Sequence, residues 1–181
     1  SPSAITDSIP VAIDARHVYY LDYPNPNSDH GELIAATHGT GSRAWSARFD
    51  APYDLDSPAP SLAFDRVYLA RAGHSGLSPG APSDDPRLLA YDAATGAKRS
   101  ERLQQGQWNS VARPTIDGED LFVAGGYYGG LNKYNAEFGS RHWFNDLGDG
   151  FYASTPMVYG QDVILWVAGR TLARVDRDTG Q

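Results

Sequence analysis

Glycines on both sides of Tyr127 and Tyr128, in Gly125-Gly-Tyr-Tyr-Gly-Gly130, let the two rings project from a tight loop. A tyrosine so placed can stack on a sugar ring, hydrogen-bond a ligand or move a proton. Packing between two structural units explains the pair equally well. Trp108 in Gln107-Trp-Asn109 and Tyr152 in Asp149-Gly-Phe-Tyr152 are further ligand-binding candidates. Of the five histidines, His17, His30, His38, His74 and His142, none forms a His-x-x-x-His or His-Glu pair, so spacing supplies no zinc site. His30 and His74 are candidate bases near neutral pH, against the plainer reading of surface histidines, and Arg71 is a candidate cation. Proton abstraction beside a carboxylate needs those types together, a base at the acidic α-proton and a cation at the carboxylate.

The stretch from Asp22 to Glu32 offers different chemistry. Asp22, Asn25, Asn27, Asp29 and Glu32 carry oxygen donors at alternating positions. Asp22, Asn27, Asp29 and Glu32 are the candidate calcium ligands among them. The spacing is not that of an EF-hand loop, and Asn25-Pro-Asn27 is also ordinary turn chemistry.

Composition removes several function classes. The 181 residues carry a formal net charge of −7 and no Lys/Arg-rich run, so nucleic acid is not an expected partner. Without cysteine there is no disulfide framework and no thiolate chemistry. No P-loop, Gly-x-Ser-x-Gly or dinucleotide fingerprint occurs, and no apolar run approaches the ~18–20 residues of a membrane span. The chain opens Ser1-Pro-Ser3 with neither methionine nor an apolar signal region, which fits a processed protein, secreted or periplasmic.

The elements that must position these groups form a repeat. Four segments run from a leucine to a glycine eight residues on: Leu33 to Gly41, Leu88 to Gly96, Leu131 to Gly139 and Leu172 to Gly180. Each reads as a strand entering a tight turn, with the glycine at positive φ and Asp92, Asn135 and Asp176 opening three of the turns. Pro10, Pro60, Pro114 and Pro156 each open a short apolar stretch. These stretches are expected to be innermost strands carrying Ile13, Phe64, Ile116 and Val158, followed by the runs beginning at Val18, Val67, Leu121 and Val163. The unit is strand, turn, strand, loop, strand, turn, strand, without sustained helical periodicity. Burial is expected to alternate along each strand. Glycine anchors 55, 43 and 41 residues apart fit an all-β fold, a β-propeller of four-stranded antiparallel blades. A β-sandwich with coincidental repeats is the alternative. The blades fall at roughly 8–56, 57–108, 109–152 and 153–181, about three and a half to four blades in one partial domain.

Tyr91-Asp-Ala-Ala-Thr-Gly96 and Val175-Asp-Arg-Asp-Thr-Gly180, the tryptophans Trp45 and Trp143 four residues past two of the glycines, and the proline before each first strand resemble the pyrroloquinoline-quinone (PQQ)-like repeat over nearly the whole chain. That family typically has seven or eight blades. The resemblance therefore implies that the remainder of the propeller or a second copy of the chain completes the ring, since bare sheet edges invite pairing. Closure as four blades would instead use Ser3-Ala-Ile-Thr6. Proline-to-leucine spacings of 23, 28, 17 and 16 put insertions at Asp22 to Gly31 and Ala72 to Pro86, on the face where propellers carry ligand sites. His30, His74, Tyr127 and Trp108 are expected around one cleft there, with Arg71 beside it. A ligand-binding or protein-interaction scaffold is the first function implied. The alternative is a lyase acting on uronate-containing glycans by His/Tyr β-elimination, with Arg71 on the carboxylate. Quinone-dependent dehydrogenases of the family carry an adjacent-cysteine disulfide and a calcium site; without a cysteine here, PQQ is not expected as cofactor.

Overall fold

The computed structural model describes residues 11–23, 30–50, 59–71, 86–104, 112–125, 130–137, 139–147, 154–167 and 171–181. Within them lie four antiparallel sheets and no helix. The first holds β1 (Ala12–Ile13), β2 (His17–Asp22), β3 (His30–Thr37) and β4 (Arg43–Asp50). The second holds β5 (Ser61–Ala63), β6 (Arg66–Arg71), β7 (Arg87–Asp92) and β8 (Lys98–Leu103). The third holds β9 (Thr115–Asp117), β10 (Asp120–Ala124), β11 (Leu131–Asn135) and β12 (Arg141–Asn145), and the fourth β13 (Met157–Tyr159), β14 (Asp162–Val167) and β15 (Thr171–Asp176). Every sheet is a meander in chain order, and β1 lies against β5, β5 against β9 and β9 against β13. Sheets that approach one another most closely at their first strands fan out from an axis as propeller blades do.

Each sheet has a rear face towards its predecessor and a forward face towards its successor. Val67, Leu69, Leu89 and Tyr91 pack back on Tyr19, Leu33 and Ala35 of the first sheet. Tyr68, Ala70, Leu88 and Ala90 pack forward on Leu121, Val123 and Tyr134 of the third. Phe122, Ala124 and Leu131 meet Val163, Leu165 and Val175 of the fourth. Both faces of the middle strands are covered, so β6 and β10 are buried almost end to end instead of alternating as expected. Alternation survives only where a strand has one wet face, as in β4.

The glycine turns form as the residue pattern requires. Gly41, Gly96, Gly139 and Gly180 have φ of 68°, 74°, 70° and 76°. Asp92 Oδ1 accepts the Thr95 N–H at 2.8 Å and Asp176 Oδ1 the Thr179 N–H at 2.8 Å. Ile13, Ile116 and Val158 lie on first strands, but Phe64 does not. It forms the β5–β6 turn with Asp65, at φ of 51° and 54°, where the later sheets use Gly118 and Gly160.

The turns also lock neighbouring sheets. Trp45 Nε1 donates to the Ala93 carbonyl at 3.0 Å and Trp143 Nε1 to the Arg177 carbonyl at 3.2 Å. Each indole lies on the next sheet's turn glycine, where a Cβ would come within 2.6 Å of Trp45 at Gly96 and 2.7 Å of Trp143 at Gly180. Ser100 holds this place between the second and third sheets. There Tyr68 and Arg66 reach the Ala136 carbonyl, and Arg102 Nε donates to Gly139 O at 3.1 Å.

Two outcomes follow from this arrangement. Trp143→Ala should cost about 2 kcal/mol, below the range for a fully buried tryptophan, and Trp143→Phe, which loses chiefly the hydrogen bond, about 1 kcal/mol. Urea unfolding checks this, and no change in midpoint for Trp143→Ala would remove the indole from the lock. Asp92 is held at about 2, below the usual 3.8, first by the Arg99 hydrogen bond and then by Thr95. A carboxylate depressed in the folded state contributes stability above its unfolded value and loses it as pH falls through the folded one. Thermal melts of the wild type should therefore fall between about pH 4 and pH 2. Asp92→Asn should show a shallower fall over that window; identical slopes would contradict the assignment.

Candidate functional site

Two of the sequence-derived residues come together at the loop end of the fan. His30 begins β3, half-buried, and pairs in register with Asp50 of β4. Arg71 ends β6, only 4% exposed, and its Nη1 donates to the Asp50 carbonyl at 3.4 Å. His30, Asp50 and Arg71 thus border the first and second sheets where the two insertions arise. Arg87 lies opposite Arg71 in register, with its Nε 3.8 Å from Glu101. The Glu101 carboxyl is held low by the Lys98 hydrogen bond, opposed by burial and aided by Arg87 and Arg71. Burial drives the Tyr91 hydroxyl upward, with Glu101 adding to it and Arg71 opposing it. Two arginines, Arg71 and Arg87, thus share this rim with the carboxylates of Asp50 and Glu101. His74, Tyr127, Tyr128, Trp108, Tyr152, Asn27, Asp29 and Ser3 to Thr6 lie outside the described residues. Gly125 and Gly130 pinch the tyrosine loop at its base, through Gly125 N–H to Gly130 O at 3.0 Å.

Of the other two calcium candidates, Glu32 faces arginines. Asp22 and Glu32 are opposite each other across β2 and β3. Glu32 accepts from Arg43 at 3.5 Å, and Arg48 is its register partner on β4. Among the described residues no three potential metal ligands are grouped.

At the opposite, turn end, a cavity of about 550 Å³ is lined by Asp14, Arg16, His17, Asp65, Asp92 and Ala93. Asp14 and Asp92 are engaged in local structure. Asp14 takes the Arg16 and His17 N–H groups at 2.7 Å and the Tyr19 hydroxyl at 2.6 Å, and Asp92 takes Arg99 at 2.6 Å. These contacts build the turns.

The feature that residue chemistry alone did not single out is the forward face of the fourth sheet. Leu33, Leu88 and Leu131 are at most 4% exposed beneath the following sheet, whereas their equivalent, Leu172, is 61% exposed. Register puts Met157, Ile164, Trp166 and Leu172 on one face, with Tyr159 beside Asp162, and all of these but Ile164 and Asp162 are exposed. On the same face Arg174 Nε meets Asp162 at 2.8 Å, in the place of the Lys133–Asp120 pair of the third sheet. The signal was available: Val163-Ile-Leu-Trp-Val167 is as continuously apolar as the runs buried on both sides. At the other limit of the fan Ile13 is exposed on the rear face of the first sheet.

BamB from Moraxella catarrhalis shares 18% identity and a TM-score of 0.69, over 95% of this chain and 49% of that one. Quinohemoprotein alcohol dehydrogenase from Comamonas testosteroni gives 14% and 0.65, over 94% and 34%. The computationally designed Ika4 protein gives 9% and 0.66, over 97% and 95%. At such identities the likeness is one of fold, and the chain spans about half the length of the first and a third of the second. No curated protein matches the chain. A family model described as outer membrane protein assembly factor BamB matches residues 84–181, more than half of the sequence. With its repeated leucine-to-glycine turns and its fan of antiparallel sheets, the chain belongs to this family of PQQ-like propeller proteins.

Proposed function

We propose that the chain is part of a propeller scaffold, working outside the cytoplasm, that binds a ligand or protein partner, and that further sheets of the same repeat cover its open forward face. The observation that carries this is Leu172, 61% exposed where its three equivalents are buried. Around it stand a tryptophan, a tyrosine and a methionine, residue types enriched at interfaces. Arg174 adds a directional element. Its equivalent Lys133 donates to the Arg177 carbonyl of the next sheet at 3.1 Å, so Arg174 is placed to reach the matching carbonyl of a fifth sheet. Coverage of about half of BamB supports a ring with as many sheets again, and the family's description supports an extracytoplasmic setting.

In the isolated chain the nearest matching rear face belongs to the first sheet of another copy. Its His38 carbonyl is the equivalent acceptor, since His38 N–H bonds Arg16 O at 2.7 Å as Ala93 N–H bonds Asp65 O at 2.8 Å. Sedimentation should therefore show concentration-dependent association. Tyr159→Lys with Leu172→Lys should abolish it without lowering the melting temperature of the monomer, because both side chains are exposed. A wild-type chain that stays monomeric at every concentration, with the double variant indistinguishable from it, would sink the self-pairing.

A further inference from the structure

A separate cavity of about 340 Å³ opens where the first strands of the second, third and fourth sheets begin, at the loop end of the axis. Ser61, Leu62, Arg113, Ile116 and Thr155 are among its lining residues. Two side-chain-to-backbone bonds brace it: the Ser61 hydroxyl donates to the Pro114 carbonyl and the Thr115 hydroxyl to the Pro156 carbonyl, each at 2.5 Å. Ser61 is 5% exposed, and with its proton committed it accepts the Arg113 Nε–H at 3.2 Å.

That contact uses one of the five N–H groups of the guanidinium. Among the described residues the forked end of Arg113 has no acceptor, and the Thr155 hydroxyl has no partner. Arg43, Arg87, Arg99, Arg174 and Arg177 each pair with a carboxylate, whereas Arg113, which is exposed, pairs with none among the described residues. Carboxylate and phosphate match such a fork with two parallel hydrogen bonds. Leu62 and Ile116 supply an apolar wall beside it.

We propose that Arg113, oriented by Ser61 and assisted by Thr155, binds the carboxylate or phosphate of a small molecule with an apolar body at the mouth of the axis. Binding uses groups of this chain alone and is independent of how the ring is completed. Calorimetric titration of the whole chain with inorganic phosphate, and separately with hexanoate, tests it. Saturable binding of either is expected, and hexanoate above phosphate would mark the apolar wall as part of the site. Arg113→Gln should weaken binding about tenfold or more, while Arg43→Gln should leave it unchanged. On the unaltered protein, the bound anion should slow labelling of Arg113 by an arginine-specific dicarbonyl reagent, read by mass spectrometry. No saturable binding of either anion at millimolar concentration, equal affinity in Arg113→Gln, or labelling at the same rate with and without the anion would overturn the site.

Discussion

One backbone carbonyl in each turn fixes how the sheets stand against one another. Ala93, Ala136 and Arg177 follow the first residue of their turns, and each carbonyl is met by donors from the preceding sheet. Trp45 serves the first of these interfaces, beside a Tyr19 hydroxyl whose proton goes to Asp14, Tyr68 and Arg66 serve the second, and Lys133 and Trp143 the third. A carbonyl buried without a partner costs about 1–3 kcal/mol, so the acceptor imposes its need on whatever residues face it. The acceptor is backbone and stays the same, while the donors change type. At the third interface Phe122 stands where Tyr19 and Tyr68 stand and has no hydroxyl. The bond passes to Lys133, whose Nζ lies 5.8 Å from the Phe122 ring centroid and 3.0 Å from Asp120. A cation this buried needs that carboxylate, and Asp120 is secured in turn by Arg177 Nε at 2.8 Å.

The turns were legible in the sequence because their requirements are local. A positive φ selects glycine, and an aspartate that bonds forward to its own backbone sets the start. The second demand on Gly96 and Gly180, room for an indole from another sheet, was not legible, because it is made far away in the chain, 51 residues before Gly96 at Trp45 and 37 before Gly180 at Trp143. Phe64 failed for the complementary reason. Its apolar side chain and its place after Ser61-Leu-Ala63 read as strand, while tertiary pairing of Ala63 with Arg66 forced a two-residue turn. The rim shows the same limit. Arg71 was recognisable as a cation, but its meeting with His30 through Asp50 depends on two sheets docking.

Alternation was the wrong pattern to expect for a physical reason that reaches the functional reading. A strand with one wet face alternates; a strand packed on both faces does not. β6 and β10 are of the second kind and are buried on both faces. β14 has the same composition, Val163-Ile-Leu-Trp-Val167, yet among the described residues only its rear face is covered. A sheet adapted to stand last in water would carry polar residues at Trp166 and Leu172. Instead it repeats the leucine of the three buried interfaces and the acid–cation pair of the third, with Asp162 and Arg174 in the places of Asp120 and Lys133. The patterning of the fourth sheet is that of an interior blade, which supports completion by further sheets more directly than any count of blades.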